Sequence, residues 1–161
     1  MSAKDPVRAY LNSVLECRME AARSRRKFEM LEARATSITA QLSGMPFGGG
    51  SDREALLAAL ADASGEYYRQ MVAAEQRELE VSKFIDSLPD SSHRIILKLR
   101  YVDCKRWSKV LKAYRDNGVE MSKSTVLRLH GAALQAAREK YKEKTNDEIR
   151  DSCGGEPDCD R

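Results

Sequence analysis

The sequence predicts an all-α fold: a long N-terminal antiparallel helical hairpin, then a three-helix helix-turn-helix domain, then a disordered acidic tail. Three observations carry that expectation. Charged residues make up 33% of the 161 residues and aromatics 6%, with only 4 prolines and 9 glycines, a composition of long solvated helices and not of a sheet. Apolar residues recur at alternating steps of three and four over most of the chain. The periodicity breaks at glycine and proline, the two residues that end helices. The divisions read as hairpin 1–88 with its turn at 43–51, helix-turn-helix domain 89–142, and tail 143–161.

The first helix is expected from residue 6 to about 42. Asp5 is a good N-cap and Pro6 suits the first turn. Val7, Leu11, Val14, Arg18, Ala21, Arg25 and Phe28 then mark a near-heptad stripe, continued by Leu31, Ala35, Ile38 and Leu42. Gly44-Met45-Pro46-Phe47-Gly48-Gly49-Gly50 stops the helix. It is not a phosphate-binding loop, because no Gly-Lys-Ser/Thr follows its glycines. Ser51-Asp52-Arg53-Glu54 has capping-box spacing. A second long helix is expected to run from there to about Leu88, with Leu56, Leu60, Ala63, Tyr67, Met71, Ala74, Glu78, Val81 and Ile85 on its inner face. Two such stripes joined by a short turn pack on each other as a hairpin.

Pro89 ends the second helix, and Asp90 or Ser91 caps a short third helix whose apolar positions are Ile95, Ile96, Leu99 and Val102. Trp107, Val110, Leu111 and Tyr114 are spaced for a fourth helix over about 106–116, stopped by Asn117-Gly118. Ser122 caps the last helix, expected to about 142, with Val126, Leu129, Ala133 and Ala136 facing inward. The residues from 143 onward are polar and acidic and cannot bury enough apolar surface to order themselves.

Charge is distributed unevenly. Residues 1–90 carry a net −2, residues 91–141 a net +8 and residues 142–161 a net −3. A basic segment of that size points to a localised face for a polyanion. In a helix-turn-helix the last helix enters the major groove N-terminus first. The positions placed to reach DNA are therefore Lys123, Ser124, Thr125, Leu127 and Arg128. Arg128 is suited to fork onto a guanine, and Lys123, Ser124 or Thr125 to hold phosphates. Lys105, Arg106 and Lys109 open the preceding helix and are candidates for the flanking phosphate backbone.

The runs Ile95-Ile96-Leu97-Lys98-Leu99-Arg100-Tyr101-Val102, Trp107-Ser108-Lys109-Val110 and Ser122-Lys123-Ser124-Thr125-Val126-Leu127-Arg128-Leu129-His130-Gly131-Ala132-Ala133-Leu134 resemble the promoter-reading C-terminal region of sigma-70-type factors. With the N-terminal hairpin, its Met-Pro-x-Gly-Gly turn and its Leu-Pro-Asp joint, the chain is similar, nearly as far as Tyr141, to small sigma-70 region 4-like regulators of phages and prophages in Gram-positive bacteria. The resemblance implies transcription control of phage genes at promoter DNA, with RNA polymerase as a further partner. The chain departs from that pattern in a longer connection at Asp116–Glu120 and in Leu111-Lys112-Ala113 where a small residue is preferred. Promoter-melting regions are not apparent.

Other functions find less support. No constellation of nucleophile, base and orienting group is present, so an enzyme is not expected. His93 and His130 lack spaced partners, and Cys17, Cys104, Cys153 and Cys159 form no C-x-x-C pair, so no metal or other cofactor is expected. No signal peptide or membrane-length apolar run is present, and the expected location is the cytoplasm. The alternative reading is a non-catalytic coiled-coil adaptor or phage assembly protein acting through the hairpin, which is also a candidate surface for homodimerisation.

Overall fold

Asp5 opens the first helix in the computed structural model: its carboxylate accepts from the Val7 amide at 3.2 Å and its carbonyl from the Ala9 amide at 3.0 Å. The structure describes residues 5–41 and 50–153, with side chains over 5–37 and 52–146. All regular structure in these residues is helical: α1 Pro6–Gln41, α2 Gly50–Asp86, α3 Ser91–Leu97, α4 Trp107–Asp116 and α5 Lys123–Cys153. The expected turn at 43–51 lies outside the described residues, apart from Gly50 and Ser51, which are already helical. No helix among the described residues is long and apolar enough to cross a membrane.

Two compact units result. One is Ser13–Leu79; the other joins the described residues up to Asn12 with those from Glu80 onward. In the first, Arg18 pairs with Glu78 at 2.6 Å and the Phe28 ring stacks with Tyr67 at 6.2 Å. The partners rise along α1 as they fall along α2. Most of the expected stripe faces inward here, with Val14, Ala63 and Ala74 buried and Ala21, Leu56, Leu60 and Met71 half-buried. Arg25 instead points to solvent and pairs with Glu29 on its own helix at 2.7 Å.

The second unit holds most of the core. It takes in the first turns of α1 and the end of α2, which the sequence analysis assigned to residues 1–88. Val7, Leu11, Val81, Ile85 and Leu88 are almost fully buried within it. Arg138 of α5 donates to Asp5 from Nε at 3.0 Å and from Nη2 at 2.6 Å. The Tyr10 ring packs edge-on against Phe84 at 5.4 Å and beside Tyr141 at 5.3 Å.

Asp90 caps α3, accepting from the Ser92 amide at 2.7 Å and the His93 amide at 3.4 Å. The helix then widens into a π-turn, Lys98–Val102, closed by the Asp103 amide on the Lys98 carbonyl at 2.9 Å. That turn corrects the expected inner face. Ile96 and Leu97 are buried, as are Tyr101 and Val102 five residues on, which an i→i+5 turn brings to the same side. Ile95 is left 50% exposed.

α5 also differs from expectation. It runs to Cys153 instead of giving way to a disordered tail at 143. Just before this segment Tyr141 packs against Tyr10 and Phe84, and within it the Lys144 ammonium lies over the Tyr10 ring at 5.5 Å, tertiary contacts at its start that composition does not reveal. Lys140 pairs with Glu143 along the helix at 3.0 Å. Residues 154–161 of the expected tail lie outside the described residues.

Candidate nucleic-acid interface

The surface formed by α4, α5 and their connection rests on a buried aromatic cluster. His130, on α5, is 9% exposed. Its ring stacks with Tyr101 at 5.8 Å and meets Trp107 edge-on at 4.9 Å, while its Nε2 lies 3.2 Å from the Tyr101 hydroxyl. Burial, with help from the positive charges of Arg8 and Arg100, lowers its pKa to about 4. His130 is therefore a neutral packing residue at neutral pH, not a phosphate contact. Arg100 finishes the cluster: it donates to the Lys105 carbonyl at 2.9 Å and lies over the Trp107 ring at 5.3 Å.

Entry into α4 is tightly specified. Cys104 adopts a left-handed backbone with φ of 53°, and the Lys105 amide donates back to the Leu99 carbonyl at 3.0 Å. α4 then buries Val110 and Tyr114. Its end is a Schellman motif: the Val119 amide reaches the Tyr114 carbonyl and the Gly118 amide the Arg115 carbonyl, each at 2.9 Å. Gly118 has φ of 77°, which explains the Asn-Gly pair, because glycine bears a left-handed backbone without steric cost. Ser122 caps α5, its Oγ accepting from the Thr125 amide at 3.1 Å. The Ser122 hydroxyl also shares hydrogen bonds with those of Ser124 and Thr125, both at 2.8 Å. Val126, Ala133, Leu134 and Ala137 form the inner face of α5.

The expected site residues divide by environment. Lys123, Ser124 and Arg128 are exposed at the start of α5, and Leu127 beside them is 41% exposed. Arg106, at the N-cap position of α4, and Lys109 in its first turn are exposed as well. Thr125 is half-buried and its hydroxyl is engaged in the cap. Lys105 is half-buried, with its ammonium 2.9 Å from Asp103. A cation in such a pair must leave its carboxylate before it can serve a phosphate.

Arg106, Lys109, Arg115, Lys123 and Arg128 form no ion pair among the described residues. Other cations of this unit are committed: Lys98 to Asp86 at 2.7 Å, and Arg138 to Asp5. Arg115 is the residue that sequence reasoning passed over. It lies late in α4, outside the first-turn positions, and lines a concavity with Leu111, Glu120, Met121 and Ser122 beside the capped start of α5. Its signal was present only as part of the excess charge of residues 91–141. Among the described residues no group of His, Cys, Asp and Glu is placed to hold a metal ion. Comparison with protein-family models, with curated proteins and with solved structures yields no match.

Proposed function

We propose that this chain is a non-enzymatic, sequence-specific DNA-binding regulator of transcription. In this reading α1 and α2 form an antiparallel hairpin, α4 braces, and α5 enters the major groove with Ser124, Leu127 and Arg128 toward the base edges. Arg106, Lys109 and Lys123 hold phosphates on either side. The resemblance to sigma-70 region 4-like regulators extends the proposal to phage or prophage promoters, with RNA polymerase as a second partner.

One observation carries it. Five cations without carboxylate partners are presented at the two helix starts and the end of α4, on a scaffold held by buried Val110, Tyr114, Val126 and His130. Exposed charges without partners give up no existing ion pair when they neutralise phosphates. The three assigned to phosphates, Arg106, Lys109 and Lys123, predict a slope of roughly −2.7 in log affinity against log salt. Fluorescence anisotropy of the full chain with a labelled random duplex, at low and moderate salt, tests this. Tight binding with that slope supports the proposal and justifies selecting the target sequence. Absence of binding at low salt overturns it.

A further inference from the structure

The unit Ser13–Leu79 buries few of its own apolar side chains. Those fully inside it, among its described residues, are Val14, Ala63 and Ala74, two of them alanines. Large apolar side chains point outward instead. On α1 these are Leu15, Met19 and Met30, the last 67% exposed. At about 100° per residue they share an arc of about 60°, away from the face that carries Val14, Arg18 and Phe28. On α2 they are Leu57, Tyr68, Val72 and Leu79, again within about 60° and away from the face of Ala63, Tyr67 and Ala74. An amphipathic helix draws most of its stability from burying its stripe. Here each helix carries one apolar face toward its neighbour and a second that faces water.

Charge indicates what covers the second face. Residues 13–41 carry six Lys/Arg against four Asp/Glu, whereas residues 50–79 carry three against six. α1 is net positive and α2 net negative over this unit, so a second copy that sets its α2 beside α1 meets opposite charge, and its α1 meets α2 in turn. That reciprocity is what a two-fold interface requires, and four helices close a core that two leave open. We propose that Ser13–Leu79 is a homodimerisation unit in which two copies pair through the outward stripes of α1 and α2. The proposal is independent of DNA binding.

Sedimentation of the full chain without DNA, at micromolar concentration, tests it. The expected species has twice the 18.1 kDa mass of one chain; a monomer across that range overturns the proposal. The double variant Val72→Lys, Leu79→Lys is expected to weaken the dimer by about a hundredfold or more, as loss of buried apolar anchors does. Lysine exceeds valine in helix propensity, so circular dichroism should show the helices retained. A dimer untouched by that variant overturns the assignment of the face. If the variant loses its helices, hydrogen exchange of the unaltered chain decides. Protection over residues 52–79 must rise with protein concentration while that over residues 107–137 stays constant, and equal behaviour in the two segments overturns the proposal.

Discussion

Acidification should destabilise this protein through His130, by an amount that the structure sets. The imidazole is 9% exposed, between Tyr101 and Trp107, and its pKa is lowered to about 4 from the ordinary 6.5. Burial is the larger cause, and the nearby charges of Arg8 and Arg100 add to it. The folded state thus favours the neutral ring, while the unfolded chain takes up a proton near its ordinary value. Stability from this group is complete above about pH 6.5, falls as the pH drops towards about 4, and changes no further below that. The span corresponds to roughly 3 kcal/mol. The lowered carboxyls of Asp5, hydrogen-bonded by Arg138, and of Asp90, bonded to the Ser92 amide, lose their contributions only as the pH falls below the ordinary carboxylate range. They therefore do not mask the His130 window. The assay is urea unfolding followed by circular dichroism between about pH 7 and about pH 4.5, on the unaltered chain and on His130→Phe. The phenyl ring keeps the aromatic packing but cannot be protonated. It leaves the Tyr101 hydroxyl without its partner, which costs about 1 kcal/mol at neutral pH. The variant should start lower and lose less. Equal losses in the two proteins over this window would refute the argument.

Four further outcomes are expected. Arg128→Ala should lose about 1–3 kcal/mol of specific binding and relax preference at one base position in a binding-site selection, because Arg128 is exposed near the start of α5; an unchanged preference counts against base contact. Lys109→Ala should weaken binding to all duplexes alike and reduce the salt slope by about one, and a sequence-dependent loss would sink its assignment to phosphate. Cys104→Gly should raise the urea midpoint, since it relieves a left-handed residue at a cost difference of about 1 kcal/mol; a lower midpoint would mean that the thiol's approach to the Tyr101 carbonyl at 3.4 Å matters more than the backbone. Gly131→Ala should stabilise α5 by about 1 kcal/mol, because a Cβ there meets nothing within 4 Å, and destabilisation in thermal unfolding would contradict that open surface.

Much of this architecture was legible because helices declare themselves locally. Asp5 and Ser122 cap helices as their positions announce, and Asn117-Gly118 makes the stop that its chemistry demands. The stripe from Val7 to Leu88 picks out buried Leu11, Val14, Ala63, Val81 and Ile85. The misses share a different cause. No periodic pattern signals a π-turn, so the sequence could not show that Leu97 and Tyr101 would turn inward and leave Ile95 in solvent. The extension of α5 begins with Lys144 over the Tyr10 ring, a partner remote in sequence that a composition argument cannot supply.

The candidate interface follows the same division. Which residues are cationic and which helix starts they occupy can be read from the chain. Which cations are already spent cannot, because that depends on where carboxylates arrive in space. Lys105 and Arg106 are neighbours of like charge, yet only Lys105 meets Asp103 at 2.9 Å. His130 follows Arg128 by two positions. On a helix that step carries a side chain most of the way to the opposite face, and the face here is the one closed by Tyr101 and Trp107. The same turn of α5 thus places the exposed Arg128 on its outer side and a base held neutral on its inner side. The inner residue packs the helix, and in the proposed reading the outer one meets DNA, so a change at His130 should alter that proposed binding only in proportion to the stability it removes.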